Sequence, residues 1–485
     1  MPVSPGTQRE PAAARGSSDP GVGRESGSLD EGRRSEVRDG LRLSETVIVE
    51  LAPRLPKTPP VRHDLDSDPF LRAPASTLSG PWARATAEEG RPRILLYSHD
   101  SFGLGHLRRS LTLAAELAQA FPEASLLLVT GSPCATFFDL PPRVGLVKLP
   151  SVTKDESGAY APRGLPGSLS FTLRLRRGLI QETFRTYEPD LLIVDHQVVG
   201  LLGEMLGVLR EAKKRGTRTI LGVRDVIDSP EVVAREWGSD DCRWALSEGY
   251  DRVCVYGAPE VFDARHEYPI PPELGERLEF TGYVVRPSAH LPFRPVPSLR
   301  PQVLVTMGGG EDGAERIDAY LSALELEPSD WESVVVAGPL LDTREARRLR
   351  RRAEALGSVR LHRFHADLPH LLAQCQAVVS MAGYNTCAEI LRSRRPSVLL
   401  PRTWPRLEQR IRAERLAALG LTDVPELEPI QVRRAIERAL ARGGVGERMP
   451  NLDGARRVSE IAGELLSLPV RPFVRRSHSP EALVS

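Results

Sequence analysis

From Arg93 onward, short β-rich apolar runs alternate with amphipathic helical stretches, and few architectures accommodate that order. Strand, helix and strand in repetition build a parallel sheet covered on both faces. In the first half the strand candidates are Ile94 to Ser98, Leu126 to Thr130, Leu191 to Asp195, Thr219 to Val223 and Val253 to Tyr256. Between them, Leu107 to Ala120 carries Leu107, Leu111, Ala114, Ala115 and Ala118 at helical spacing, and Leu201 to Lys214 does so less regularly. The second half repeats the pattern, with strands at Val303 to Met307, Val334 to Ala337, Val359 to Phe364, Ala377 to Ser380 and Ser397 to Leu400. Pro287, Pro292, Pro295, Pro297 and Pro301 exclude regular structure over 286–301, which is therefore the expected linker.

The expected fold class is α/β, with two tandem Rossmann-like, doubly wound domains at 91–285 and 302–470 and a flexible tail at 471–485. The helix from Ala455 to Leu468, after Pro450, is expected to pack back on the first domain. Residues 1–90 differ: 17 of the first 40 are Pro, Gly or Ser, and the first aromatic residue is Phe70. Such a segment cannot bury enough apolar surface to offset its ordering entropy, so disorder is expected there. Ser44 to Leu55 is the exception, a candidate local strand or helix.

Composition removes several functions. Lys+Arg 65 against Asp+Glu 64 leaves a formal net charge of +1, which gives no global attraction to a phosphate backbone, so nucleic acid is not the expected partner. The lysines are Lys57, Lys148, Lys154, Lys213 and Lys214, and none follows a glycine. A P-loop and a C-terminal pyridoxal-phosphate lysine are thereby excluded. The 5 cysteines are scattered without Cys-x-x-Cys or zinc spacing, and read as buried thiols of a reducing compartment. No signal-like N-terminus and no apolar run near 18 residues occurs, so a cytoplasmic protein is expected.

Ligands of open parallel sheets bind at the carboxyl ends of strands, so the glycine-rich turns after strands are the candidate sites. The first reads His99-Asp100-Ser101-Phe102-Gly103-Leu104-Gly105-His106. Arg108 stands where a dinucleotide fingerprint has its third glycine, which argues against NAD. His106 begins a helix there, and an imidazole accepts a proton near neutral pH. Asp100 would orient His106, act itself, or only cap the helix. The second turn, Gly308, Gly309 and Gly310 before a helix near Ala314, offers backbone N–H groups to an anion, although Glu311 and Asp312 would repel it if they pointed inward. In the third, Gly383 precedes Asn385 and Thr386, donors suited to a diphosphate at a helix start, and Glu389 lies one turn on, an acceptor suited to ribose hydroxyls. Glu408 and Gln409 open a further helix near the same edge. Asp195-His196 and Arg224-Asp225 end strands, and either line an acceptor pocket or are ordinary loop residues.

From about Arg93 to Leu468 the chain resembles glycosyltransferases of the two-Rossmann-domain GT-B type, especially the MurG-like family that uses UDP-N-acetylglucosamine. Gly383, Glu389 six residues on, Pro401, and Gln409 eight residues further are similar to the family's C-domain signature. The resemblance implies that Glu389 holds the ribose, the Gly383 helix start the diphosphate, and Gln409 the donor sugar. Phe364 to Leu368 looks like the loop that reads uracil, which places His365 at the base, and Gly308 to Gly310 looks like the second phosphate-side loop. Gly103-Leu104-Gly105-His106 resembles the glycine loop whose histidine faces the reacting centre, but departs from Gly-Gly-x-Gly-Gly-His. The stretch Gly105 to Ala114 is closer to nucleotide-sugar hydrolases of the pseudaminic acid pathway, where the matching histidine activates water.

The expectation is an inverting glycosyltransferase with a cleft between its domains, His106 and Asp100 as catalytic residues, and no cofactor or metal. The donor is a nucleotide diphosphate sugar, and the acceptor is a sugar, lipid or small molecule. The alternatives are a nucleotide-sugar hydrolase using the same site and a non-catalytic nucleotide-sugar-binding subunit. Arg174 to Arg177 and Arg344 to Arg352 leave peripheral membrane contact open, beside the commoner explanation of solvated helix faces.

Overall fold

The computed structural model describes residues 91–99, 105–154, 159–286, 300–365, 367–445 and 448–471, so the expectations for 1–90, most of the linker and most of the tail lie outside them. Two parallel sheets form, both within one compact unit. The first takes strands β1 (Arg93–Ser98), β2 (Ser125–Thr130), β3 (Val144–Lys148), β6 (Leu191–Asp195), β7 (Arg218–Arg224), β8 (Arg252–Tyr256) and β9 (Leu278–Phe280) in the order β3-β2-β1-β6-β7-β8-β9. The second runs β12 (Val359–His362), β11 (Glu332–Val336), β10 (Gln302–Thr306), β13 (Ala377–Ser380), β14 (Ser397–Leu399). A hairpin of β4 (Val152–Lys154) and β5 (Tyr160–Pro162) stands apart.

Both orders reverse direction once. In the first sheet this happens between β1 and β6, where Ile94 pairs with Leu191, and in the second between β10 and β13, where Val303 pairs with Ala377. At such a point the connections leave to opposite sides and open a crevice at the carboxyl ends of the strands. β1 is apolar from Ile94 to Tyr97 because both its faces are covered. Period-two alternation sends Ile94 and Leu96 into one layer and Leu95 and Tyr97 into the other. The Ile94 layer continues through Tyr283 and Tyr384 to Leu304 and Val378, so the two halves share a core.

The helices used below are α1 (Gly105–Ala120), α2 (Leu169–Tyr187), α3 (Leu206–Arg215), α4 (Ala314–Glu325), α5 (Thr343–Leu356), α6 (Tyr384–Ser393), α7 (Glu408–Ala418), α8 (Pro429–Arg442) and α9 (Gly454–Leu466). The last returns to the first half as expected and packs on α1. Gly454 makes the approach possible: its N–H donates to Tyr283 O at 3.1 Å, and a Cβ there would lie 2.2 Å from Gly282 O.

The sequence reading omits β3, β4, β5, β9 and α2. In α2 the apolar residues that draw the eye, Phe171, Leu175 and Leu179, are exposed, while Thr172, Arg176, Ile180 and Phe184 are buried. Arg176 is tolerated inside because Glu204 accepts from its Nε at 2.8 Å and its Nη2 at 2.6 Å. Among the cysteines, Cys242, Cys254, Cys375 and Cys387 are buried, whereas Cys134 is only half-buried.

Candidate functional site

At the reversal of the first sheet, His99 follows the end of β1, α1 begins with Gly105 and His106, and β6 ends with Asp195, which His196 follows. The His106 Nδ1 lies 2.7 Å from Asp195 Oδ2. An ionised carboxylate only accepts, so Nδ1 donates in this pair, with Arg109 Nη2 standing 3.0 Å from the same nitrogen, and in the neutral ring Nε2 is the acceptor. Arg109, fully buried one turn along α1, grips the same carboxylate through Nε at 2.8 Å and Nη2 at 2.7 Å. Burial alone would raise the Asp195 carboxyl, but Arg109 and His106 bring it below its ordinary range, so it stays ionised.

Two more imidazoles flank His106, with ring centroids at 5.5 Å for His99 and 4.9 Å for His196. Burial holds both well below the usual histidine range, with His106 adding to the effect at His99 and Arg224 at His196. They are neutral at physiological pH.

At the reversal of the second sheet, the two glycine turns face each other. Gly308 and Gly310 have φ of 61° and 91°, and a Cβ at Gly310 would lie 2.4 Å from Ala337 O. A Cβ at Gly308 would sit 3.8 Å from Thr386 Oγ1, which fixes the separation of the loops that open α4 and α6. Gly309 belongs to the same turn, and Gly383 caps α6 in extended conformation with open space before it. Two helix starts, with their unsatisfied N–H groups, thus share one crevice. Asp312 is drawn aside by Arg402 at 2.9 Å, and Glu311 is exposed.

The halves meet at these loops. Asn385 Nδ2 donates to Gly105 O at 2.8 Å, which ties the start of α6 to the start of α1. Arg108, one turn into α1, pairs with Glu389 Oε1, while Oε2 is buried without a partner. Burial raises the Glu389 carboxyl, against the pull of Arg108 and Arg286. Glu408 is buried and accepts from Arg402 Nη2 at 2.7 Å, and Gln409 Oε1 accepts from Arg402 N at 3.2 Å. Beyond them fully buried Arg412 joins the two halves, donating Nη2 to Asp225 Oδ1 at 2.6 Å and Nη1 to Ala382 O at 2.8 Å.

The structure thus gathers His106 and Gly105 of one half with Asn385, Thr386, Glu389 and the Gly308 loop of the other. Asp100 and Gly103 lie outside the described residues. The carboxylate that holds His106 is Asp195, which sequence reading left undecided between pocket and loop; adjacency of β1 and β6 is the signal that would have chosen it. His365 stands past edge strand β12, its Nδ1 accepting from Asp367 N at 3.2 Å, with only local bonds among the described residues. Among the described residues no three His, Cys, Asp or Glu side chains are grouped to hold a metal ion.

No family model matches the chain. Over 358 residues it is 28% identical to the UDP-N-acetylglucosamine–N-acetylmuramyl-(pentapeptide) pyrophosphoryl-undecaprenol N-acetylglucosamine transferase of Symbiobacterium thermophilum, covering 71% of this chain and 87% of that protein. The transferase of the same name from Leuconostoc citreum is 24% identical over 311 residues, 61% of this chain and 75% of that protein. The one from Rhodopseudomonas palustris is 33% identical over 136 residues, so this chain spans 37% of its length. Among solved structures, the glycotransferase of kitacinnamycin superposes with a TM-score of 0.53 at 17% identity, covering 78% of this chain and 99% of that one. A UDP-glucosyltransferase from Polygonum tinctorium superposes with 0.50 at 14% identity, covering 78% and 99%. At such identities the structural likeness speaks for the fold.

Proposed function

We propose, from the premise that this chain is a MurG-like glycosyltransferase of the GT-B fold, that it transfers a sugar with inversion from a UDP-linked diphosphate sugar to an acceptor hydroxyl, without a metal. The observation that carries the reading is the Asp195–His106 pair, which leaves Nε2 free at the point where Asn385 ties the start of α1 to the start of α6. Nε2 takes the acceptor proton as the oxygen forms its bond to the anomeric carbon. The bond from that carbon to the phosphate oxygen breaks, and the electron pair leaves on the diphosphate. N–H groups at the starts of α4 and α6 meet that charge, which supplies what a metal would otherwise neutralise. Glu389 accepts from the ribose once Arg108 gives way, and Gln409 serves the donor sugar. UDP-N-acetylglucosamine is the donor proposed first.

Calorimetric titration of UDP, with GDP and TDP beside it, tests the donor site. UDP binds the wild type, and Glu389→Ala weakens it roughly tenfold to a hundredfold, since a hydrogen bond to a charged group is worth about 1.5 to 3 kcal/mol. Failure of every nucleotide to bind overturns the reading. Release of free sugar in place of transfer to any acceptor would convert it to hydrolysis at the same histidine.

The proposed location is the cytoplasmic face of a membrane. No helix among the described residues is long and apolar enough to cross one. The exposed Phe171, Leu175 and Leu179 of α2, with Arg174 between them, offer a peripheral contact. Co-sedimentation with anionic vesicles, lost in Phe171→Glu, is the expected result; equal sedimentation of both proteins would remove the contact.

A further inference from the structure

Arg224, which ends β7, has no task in the reaction above. Arg224 is half-buried with its Nε shut away from water, and this burial brings its pKa down to about 10, with Arg412 and Arg109 adding to the effect against the pull of Glu408. Of the carboxylates around it, Asp225 is engaged with Arg412 and Glu408 Oε1 with Arg402, while Glu408 Oε2, buried without a partner, makes no hydrogen bond to Arg224. Among the described residues its one hydrogen bond goes to a neutral acceptor, His196 Nε2 at 3.4 Å, and its own Nε is buried without a partner. Because His196 accepts at Nε2, its proton sits on Nδ1, which is likewise buried without a partner. The unmet groups are therefore donors on a cation and on the ring that lies 4.9 Å from His106. A cation with a buried, unmet donor is unfavourable until an anion reaches it.

We propose that Arg224 and His196 form an oxyanion subsite beside His106, which takes a carboxylate or phosphate group carried by the acceptor or by the donor sugar. The inference rests on the reading of His106 as the base. The subsite is separate from the diphosphate position: α6 meets the first half at Gly105, past β1, whereas Arg224 lies two strands away, about 10 Å across the sheet. Its consequence is specificity. A substrate without the anion leaves the donors of Arg224 and His196 buried and unpaired, and is rejected for that reason.

Inorganic phosphate is the probe. It is titrated into the full chain, wild type and Arg224→Gln, with and without UDP, while imidazole nitrogen signals report where it binds. In the wild type the His196 signals shift saturably, also with UDP present. Arg224→Gln weakens phosphate roughly tenfold to a hundredfold and leaves UDP within about twofold. Arg224→Lys, which keeps the charge, loses less and guards against a folding defect in the first variant. Absence of a saturable His196 shift, or equal losses of phosphate and UDP, overturns the subsite. If UDP fails to bind while phosphate still moves His196, the donor reading falls and the subsite stands. Two nucleotide sugars separate the sources. A loss confined to UDP-glucuronate over UDP-glucose assigns the oxyanion to the donor sugar. Phosphate binding alongside UDP-glucose assigns it to the acceptor.

Discussion

The two sheets reverse in the same way, and each places its candidate site at the reversal, yet the two sites are made of different material. The first half brings side chains: His106, Asp195, Arg109, His99 and His196 are packed where β1 and β6 end, with Asp195 held ionised by Arg109 and His106, and His99 and His196 held neutral by burial. The second brings backbone, in the form of Gly308 to Gly310, Gly383 and two helix starts, with Glu389 as its main charge. The difference teaches a division of labour. Proton transfer needs a fixed tautomer and so a packed partner shell, whereas a diphosphate is held well by N–H groups that only glycine lets it approach.

The largest effect that would break this comparison belongs to His106→Ala. Turnover falls at least a hundredfold while UDP affinity is kept, as seen by comparing initial rates with calorimetry. A parallel loss of both would show that the two sites are not separate. Next, Arg412→Met leaves Asp225 buried without its cation and costs about 3 to 5 kcal/mol in a urea melt. A loss below about 1 kcal/mol would mean that the pair does not join the halves, since exposed pairs are worth that little.

A smaller effect sharpens the comparison through pH. His99 and His196 have folded pKa values well below the ordinary one, so between that value and about 6.5 the unfolded chain binds more protons. Stability therefore falls as pH drops below about 6.5, by up to about 1.4 kcal/mol per pH unit for each histidine. His196→Asn removes about half of that slope; an unchanged slope would exclude the buried imidazoles as its source. Smallest is Asn385→Ala, which loses the bond to Gly105 O and lowers the melting free energy by about 1 kcal/mol. No change there would leave α6 and α1 merely adjacent.

The α/β class, ten of the fourteen strands among the described residues and the two glycine turns of the second half were legible because each depends on local pattern: continuous apolar runs for strands covered on both faces, and glycine where a turn needs it. Segments whose pattern misleads were lost. β9 has three residues, and α2 buries Thr172 and Arg176 while exposing its leucines, because Glu204 from another segment satisfies the arginine. Only the tertiary structure paired His106 with Asp195, 89 residues away, put Arg108 on Glu389, 281 residues away, and left Arg224 with no carboxylate in bonding reach among the described residues. Spacing along the chain reports which face a residue occupies. It does not report which distant strand end lies beside it, because that choice is made by sheet order, and a tautomer or a buried charge takes its value from the neighbour so placed.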